Sequence, residues 1–177
     1  MSVKDETWNV HKEMKKKDPD SQYTLVIDKD SEVEVIFMQT AHMRMSLEQY
    51  PVILYLDGTY CLNNLGYPVY VFLTTDGELH GNVVAYVIVK DEKKVTLTGL
   101  LCGFVALNPA STGIETIVLD KDVAEIAGVK AVLPNTNILL FRFHVAANFK
   151  DAATKYCTPL NKAQAKHDLN KMLYTPT

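Results

Sequence analysis

Two short apolar segments, VILYL at 52–56 and IETIVL at 114–119, each run straight into an aspartate, Asp57 and Asp120. Both are too short for an ordinary helix and rich in β-branched and aliphatic residues, so they suggest strands covered on both faces. An ionised carboxylate at the end of such a strand is costly to desolvate without hydrogen bonds, a cation or a metal. No arginine lies close in sequence to either residue. If the two strands lie side by side, the acids meet at one sheet edge, where their hard oxygens form a pair suited to Mg²⁺ or Mn²⁺. The plainer reading of a strand-end acid is a turn or a helix cap, and Asp120 could cap a helix beginning at Lys121 or Asp122.

The rest of the chain supplies the elements around these strands. Residues 5–17 read as a polar helix closed before Pro19, and YTLVIDKDSEVEVIFMQ alternates apolar and polar residues on either side of Asp28–Ser31, as a strand, turn and strand would. Ala41, Met45, Leu47 and Tyr50 recur at near-helical spacing before Pro51. After Asp57, with Thr59 and Tyr60 expected to fix the turn, YPVYVFLTT and NVVAYVIVK read as two more strands separated by Asp76-Gly77. KKVTLTGLLCGFVALNP then reads as a helix ended by Asn108-Pro109, DKDVAEIAGVKAVLP as another opened by acids, NILLFRFHV as a final strand, and 146–174 as a helical tail broken near Thr158-Pro159. The predicted order is α/β: three antiparallel strands, then α-β-α-β-α, preceded by a helix and hairpin. It divides into a peripheral segment 1–30, a core 31–150 and a tail 151–177.

Charge narrows the function. The net charge is −3, but residues 1–17 and 151–177 each carry +2, while 18–150 holds nine basic against sixteen acidic residues. A core at −7 argues against strong nucleic-acid affinity of its own, because phosphate neutralisation by Lys and Arg supplies most non-specific binding. The lysine-rich ends read first as solvated helix faces. Cys61, Cys102 and Cys157 are odd in number and widely spaced, which fits reduced thiols and an intracellular setting, and with the five histidines they show no zinc-ligand spacing. No apolar run is long enough for a membrane span.

Four segments in order carry a family resemblance. They are LDGTY at 56–60 with Asn63 and Tyr67-Pro68 after it, HGNVVAYVIVKDE at 80–92, TIVLDKD at 116–122 and LPNTNILLFRFHV at 133–145. Over about residues 30–150 the chain resembles the ribonuclease H-like domain of SWIM-zinc-finger proteins, related to the Mutator-like and FAR1-type transposases. The resemblance implies a ribonuclease H-like fold, with Asp57 and Asp120 as the first two members of an Asp-Asp-Glu metal triad and Asp122 as a neighbour. It also implies two-metal phosphodiester cleavage as the ancestral chemistry. Two departures stand out. The acids after His144 are Asp151 and Asp168, and neither matches the family's distal Glu; Asp151 would reach the site only if its helix crossed the sheet edge. Phe141 stands where the family usually has a cysteine three residues before the histidine, so His144 reads as a buried or helix-capping residue.

The expectation is therefore a transposase-derived domain, domesticated or truncated, that keeps the fold and binds nucleic acid or a protein partner without the full triad. The alternatives are a fragment of an active Mutator-like transposase with Mg²⁺-dependent DNA cleavage and strand transfer, and a protein-interaction scaffold. By resemblance the location is nuclear.

Overall fold

The alternating segment 23–39 forms a hairpin because its turn is closed from within: Asp28 Oδ1 accepts from the backbone N–H of Asp30 and of Glu32, both at 2.9 Å. This hairpin belongs to a computed structural model that describes residues 3–30, 32–59, 66–120, 122–156 and 158–174. Tyr60, Cys61, Asn63, Lys121 and Cys157 lie outside them, and with them the expected Thr59–Tyr60 turn. Helix α1 (Val3–Lys17) precedes the hairpin strands β1 (Gln22–Ile27) and β2 (Val33–Gln39). Helix α2 (Ala41–Gln49) follows, capped by Thr40, whose hydroxyl accepts from Met43 N at 3.2 Å. It buries Ser46 and Leu47, whereas Met45, on the expected helical stripe, turns outward and is 56% exposed.

Strands β3 (Ile53–Thr59), β4 (Val69–Thr75) and β5 (Gly81–Val89) form the expected antiparallel meander. Helix α3 (Lys94–Leu107), β6 (Thr116–Leu119), α4 (Val123–Val132) and β7 (Asn137–Leu140) complete the alternation. The seven strands form one sheet in the order β1-β2-β5-β4-β3-β6-β7, with β3, β6 and β7 parallel to one another. Its last five members run meander first and crossover strands after, which is the ribonuclease H-like arrangement. The hairpin extends the sheet past β5, through the register Phe37↔Val87.

Strand alternation sends Leu54 and Leu56, Tyr70 and Phe72, and Ile117 and Leu119 to one face, where they pack with Leu101 and Phe104 of α3 and Val129 of α4. Phe72 and Phe104 stack at 4.5 Å between ring centres. Helix α3 buries Leu97, Leu100, Leu101 and Phe104, the spacing of one helical stripe. It stops at buried Asn108, whose Nδ2 donates to Phe104 O while its Oδ1 accepts from Gln39 Nε2.

The expected last strand is shorter than the apolar run that suggested it. NILLFRFHV pairs with β6 only as far as Leu140, opposite Leu119, the final residue of β6. With no neighbour left to pair, the backbone turns: Phe141 N donates to Leu119 O, Phe141 O accepts from Val145 N, and helix α5 (Arg142–Tyr156) begins. His144 therefore stands on a helix rather than a strand. Helix α6 (Pro159–Tyr174) packs on α5.

Candidate active site

Asp57 lies near the end of β3, and Asp120 is the first residue after β6. The two strands are adjacent and parallel, with Tyr55 paired to Val118. Carrying that register on by two residues sets Asp57 beside Asp120, on the face away from the Leu54–Leu119 core. The sequence expected these two strands to lie side by side, and the topology pairs them. Both residues are half-buried. Asp120 is not the cap of α4: that role belongs to Asp122, whose Oδ1 accepts from Ala124 N at 2.7 Å and Glu125 N at 3.0 Å.

The element that follows β7 brings a histidine to the pair. His144 Nδ1 lies 2.7 Å from Asp120 Oδ2. A carboxylate can only accept, so Nδ1 carries the hydrogen and the imidazole is held by the bond that it donates. Phe141 lies beside the histidine ring at 5.4 Å and stacks on Tyr55 of β3 at 6.1 Å, which ties the start of α5 to the central strand. His144 is thus less buried than its sequence position suggested. It is one-third exposed and bound to a predicted site residue. The phenylalanine in place of cysteine also has a definite role, as the aromatic spacer between Tyr55 and His144.

The third carboxylate does not come from the acids that follow. Asp151 is exposed on α5, and Asp168 accepts from Gln164 Nε2 at 2.8 Å on α6. Among the described residues no three His, Cys, Asp or Glu side chains converge as a metal-holding group. As donors for a hard cation, Asp57 and Asp120 have the right chemistry, since Mg²⁺ is often held by one or two carboxylates plus water. Asp57 and Asp120 thus supply two carboxylates to such a site, and Oδ2 of Asp120 also accepts from His144.

A second acidic group escaped the sequence reading. Glu125 sits three residues after the α4 cap, where a capping box would turn it back to the backbone. Instead it is buried, 4% exposed, and its Oε1 lies 3.1 Å from the Tyr70 hydroxyl on β4. That hydroxyl is also 2.9 Å from Glu92 Oε1. Gly58 makes room for the arrangement, since a Cβ there would stand 3.2 Å from the Tyr70 ring. Burial pushes the Glu125 carboxyl up to about 7; the Tyr70 hydrogen bond opposes this, and the negative charges of Asp122, Asp120 and Glu92 add to it. Burial, with the adjacent glutamates, likewise holds the Tyr70 phenol above its ordinary range. The only sequence signal was the D-x-x-E spacing from Asp122, and that pointed to a cap.

No helix among the described residues is long and apolar enough to cross a membrane. No curated protein matches the chain. The family described as zinc finger SWIM domain-containing protein 1/3, RNaseH-like domain, matches residues 12–139, which include the hairpin, the meander and both crossover units. On this match, and on the strand order that accompanies it, the chain belongs to the ribonuclease H-like domain family of zinc finger SWIM domain-containing proteins 1 and 3.

Proposed function

We propose that this domain is a transposase-derived ribonuclease H-like fold kept for binding, with a protein partner favoured over nucleic acid, and not for phosphodiester cleavage. The observation that carries the reading is the 2.7 Å bond between His144 and Asp120. It ties one oxygen of Asp120 to a side-chain donor, which competes with a metal ion for that carboxylate. The −7 charge of residues 18–150 favours a protein partner, because it disfavours phosphate contacts made by the core itself. A nuclear location accompanies this reading through the transposase resemblance.

The parallel β3–β6 pairing, carried on by two residues from Tyr55 and Val118 to Asp57 and Asp120, supports a second reading, a residual Mg²⁺ or Mn²⁺ site in a Mutator-like nuclease. One experiment separates the two. The chain and its Asp57→Asn and Asp120→Asn variants are titrated with Mg²⁺ and Mn²⁺ under NMR observation and incubated with labelled DNA duplex. The binding reading expects an intact duplex in every case. Cleavage by the chain that both substitutions abolish would overturn it, and metal-dependent shifts confined to the two aspartates without cleavage would leave a metal site that serves structure alone.

A further inference from the structure

The sheet ends on one side in β1, a six-residue strand, QYTLVI, that among the described residues pairs with β2 alone. An edge strand offers unpaired backbone N–H and C=O groups, and proteins usually protect such an edge with Lys, Pro, a bulge or a short length. β1 contains no charged residue and no proline, and its register shift comes only at Val26/Ile27, its last step. Val26 and Ile27 are 40% and 38% exposed. The opposite edge, β7, spans four residues and runs directly into α5, which leaves little strand to pair.

The surface beside β1 is unusual in the same way. From Val95 to Leu107, α3 carries no charged residue, although it presents Val95 (83% exposed), Gly99, Cys102, Gly103 and Ala106 to the outside. A Cβ at Gly99 or Gly103 would have no described atom of another element within 4 Å. Between this side of α3 and Thr24 and Val26 of β1 lies an apolar trough of about 330 Å³, where Glu34 is the charged residue among the lining. An uncharged strand edge and an uncharged helix flank thus form one continuous face.

We propose that this face is the interface with a second copy of the chain, β1 pairing antiparallel with β1 about a two-fold axis. What pairs with this edge must be an extended, uncharged strand, and β1 itself meets that description. Two-fold antiparallel pairing also has to bring like faces together, because side chains alternate along a strand. Centring the axis on Leu25 does so: Leu25 meets Leu25 of the second copy, Tyr23 meets Ile27, and Thr24 meets Val26. These are aliphatic and aromatic-to-β-branched pairs of the kind that stabilise neighbouring strands. The result is a continuous fourteen-stranded sheet, with the glycine-lined flanks of the two α3 helices bordering the seam.

Sedimentation equilibrium over a wide concentration range tests this on the whole chain, alongside Thr24→Lys and Val26→Lys, at exposed positions of β1, and Leu139→Lys on the opposite edge. Circular dichroism verifies that each variant folds. The wild type and Leu139→Lys are expected to dimerise while both β1 variants stay monomeric. Hydrogen exchange of residues 22–27 is expected to slow as wild-type concentration rises. A wild-type chain monomeric at every concentration, or a dimer that Leu139→Lys disrupts and the β1 variants leave intact, would overturn the proposal.

Discussion

Tyr70 has one hydroxyl hydrogen and two carboxyl groups within hydrogen-bond reach, Glu92 at 2.9 Å and Glu125 at 3.1 Å. With both acids ionised, the hydroxyl could serve only one of them, and the other contact would set two electron-rich oxygens together. The conflict disappears when Glu125 keeps its proton: its carboxyl donates to Tyr70, and Tyr70 donates to Glu92. Glu125 Oε2, buried and without a hydrogen-bond partner among the described residues, is then a neutral carbonyl oxygen, whose burial costs less than that of a charged carboxylate oxygen. Because the folded carboxyl titrates near 7 against about 4.5 in an ordinary setting, the native state binds the proton more tightly than the unfolded chain. The stabilisation is therefore complete below about 4.5 and is lost as pH rises through about 7, a change of roughly 3 kcal/mol. Thermal melts across this window should show the wild type losing stability with rising pH and Glu125→Gln losing much less. Identical profiles for the two proteins would rule out Glu125 as the source.

At the level of strands and helices, the β3–β4 pair depends on a glycine that faces a ring. Gly58 is paired with Tyr70, and a methyl group at Gly58 would stand 3.2 Å from Tyr70 Cε1. The ring cannot easily give way, being fully buried and held at its hydroxyl by two glutamates. Gly58→Ala should therefore destabilise by about 1–3 kcal/mol, the ordinary cost of overpacking, despite the better strand propensity of alanine. A urea midpoint equal to or above that of the wild type would mean that the ring moves aside. Element by element, the strands were legible in the sequence because their cues are local: unbroken apolar runs at β3 and β6, alternation at β1 and β2, Asp76-Gly77 between β4 and β5. The end of β7 was not, because FRFHV alternates apolar and polar residues as a strand would, and only the length of β6 decides where pairing stops. The same limit hid half of the site. Asp57 and Asp120 announce themselves as acids ending buried strands. The bond from His144 and the burial of Glu125 against Tyr70 depend on partners 24 and 55 residues away, which no spacing rule connects.

For the molecule as a whole, β3 is the hinge of the topology, antiparallel to β4 on one side and parallel to β6 on the other. The first pairing joins neighbours in the chain. The second closes a loop of about sixty residues through β5 and α3, and closing a loop that long costs entropy before any contact offsets it. Order in time should follow. The meander β3-β4-β5 is expected to gain protection first, and β6 to dock onto it later with α4 and β7. Pulse-labelling hydrogen exchange during refolding would display the sequence directly, and simultaneous protection of β6 and β4 would contradict it. Asp57 and Asp120 sit on opposite banks of that seam, so neither their proximity nor the hold of His144 on Asp120 exists while the first half assembles. The site is absent from the nascent sheet and comes into being as its closing step.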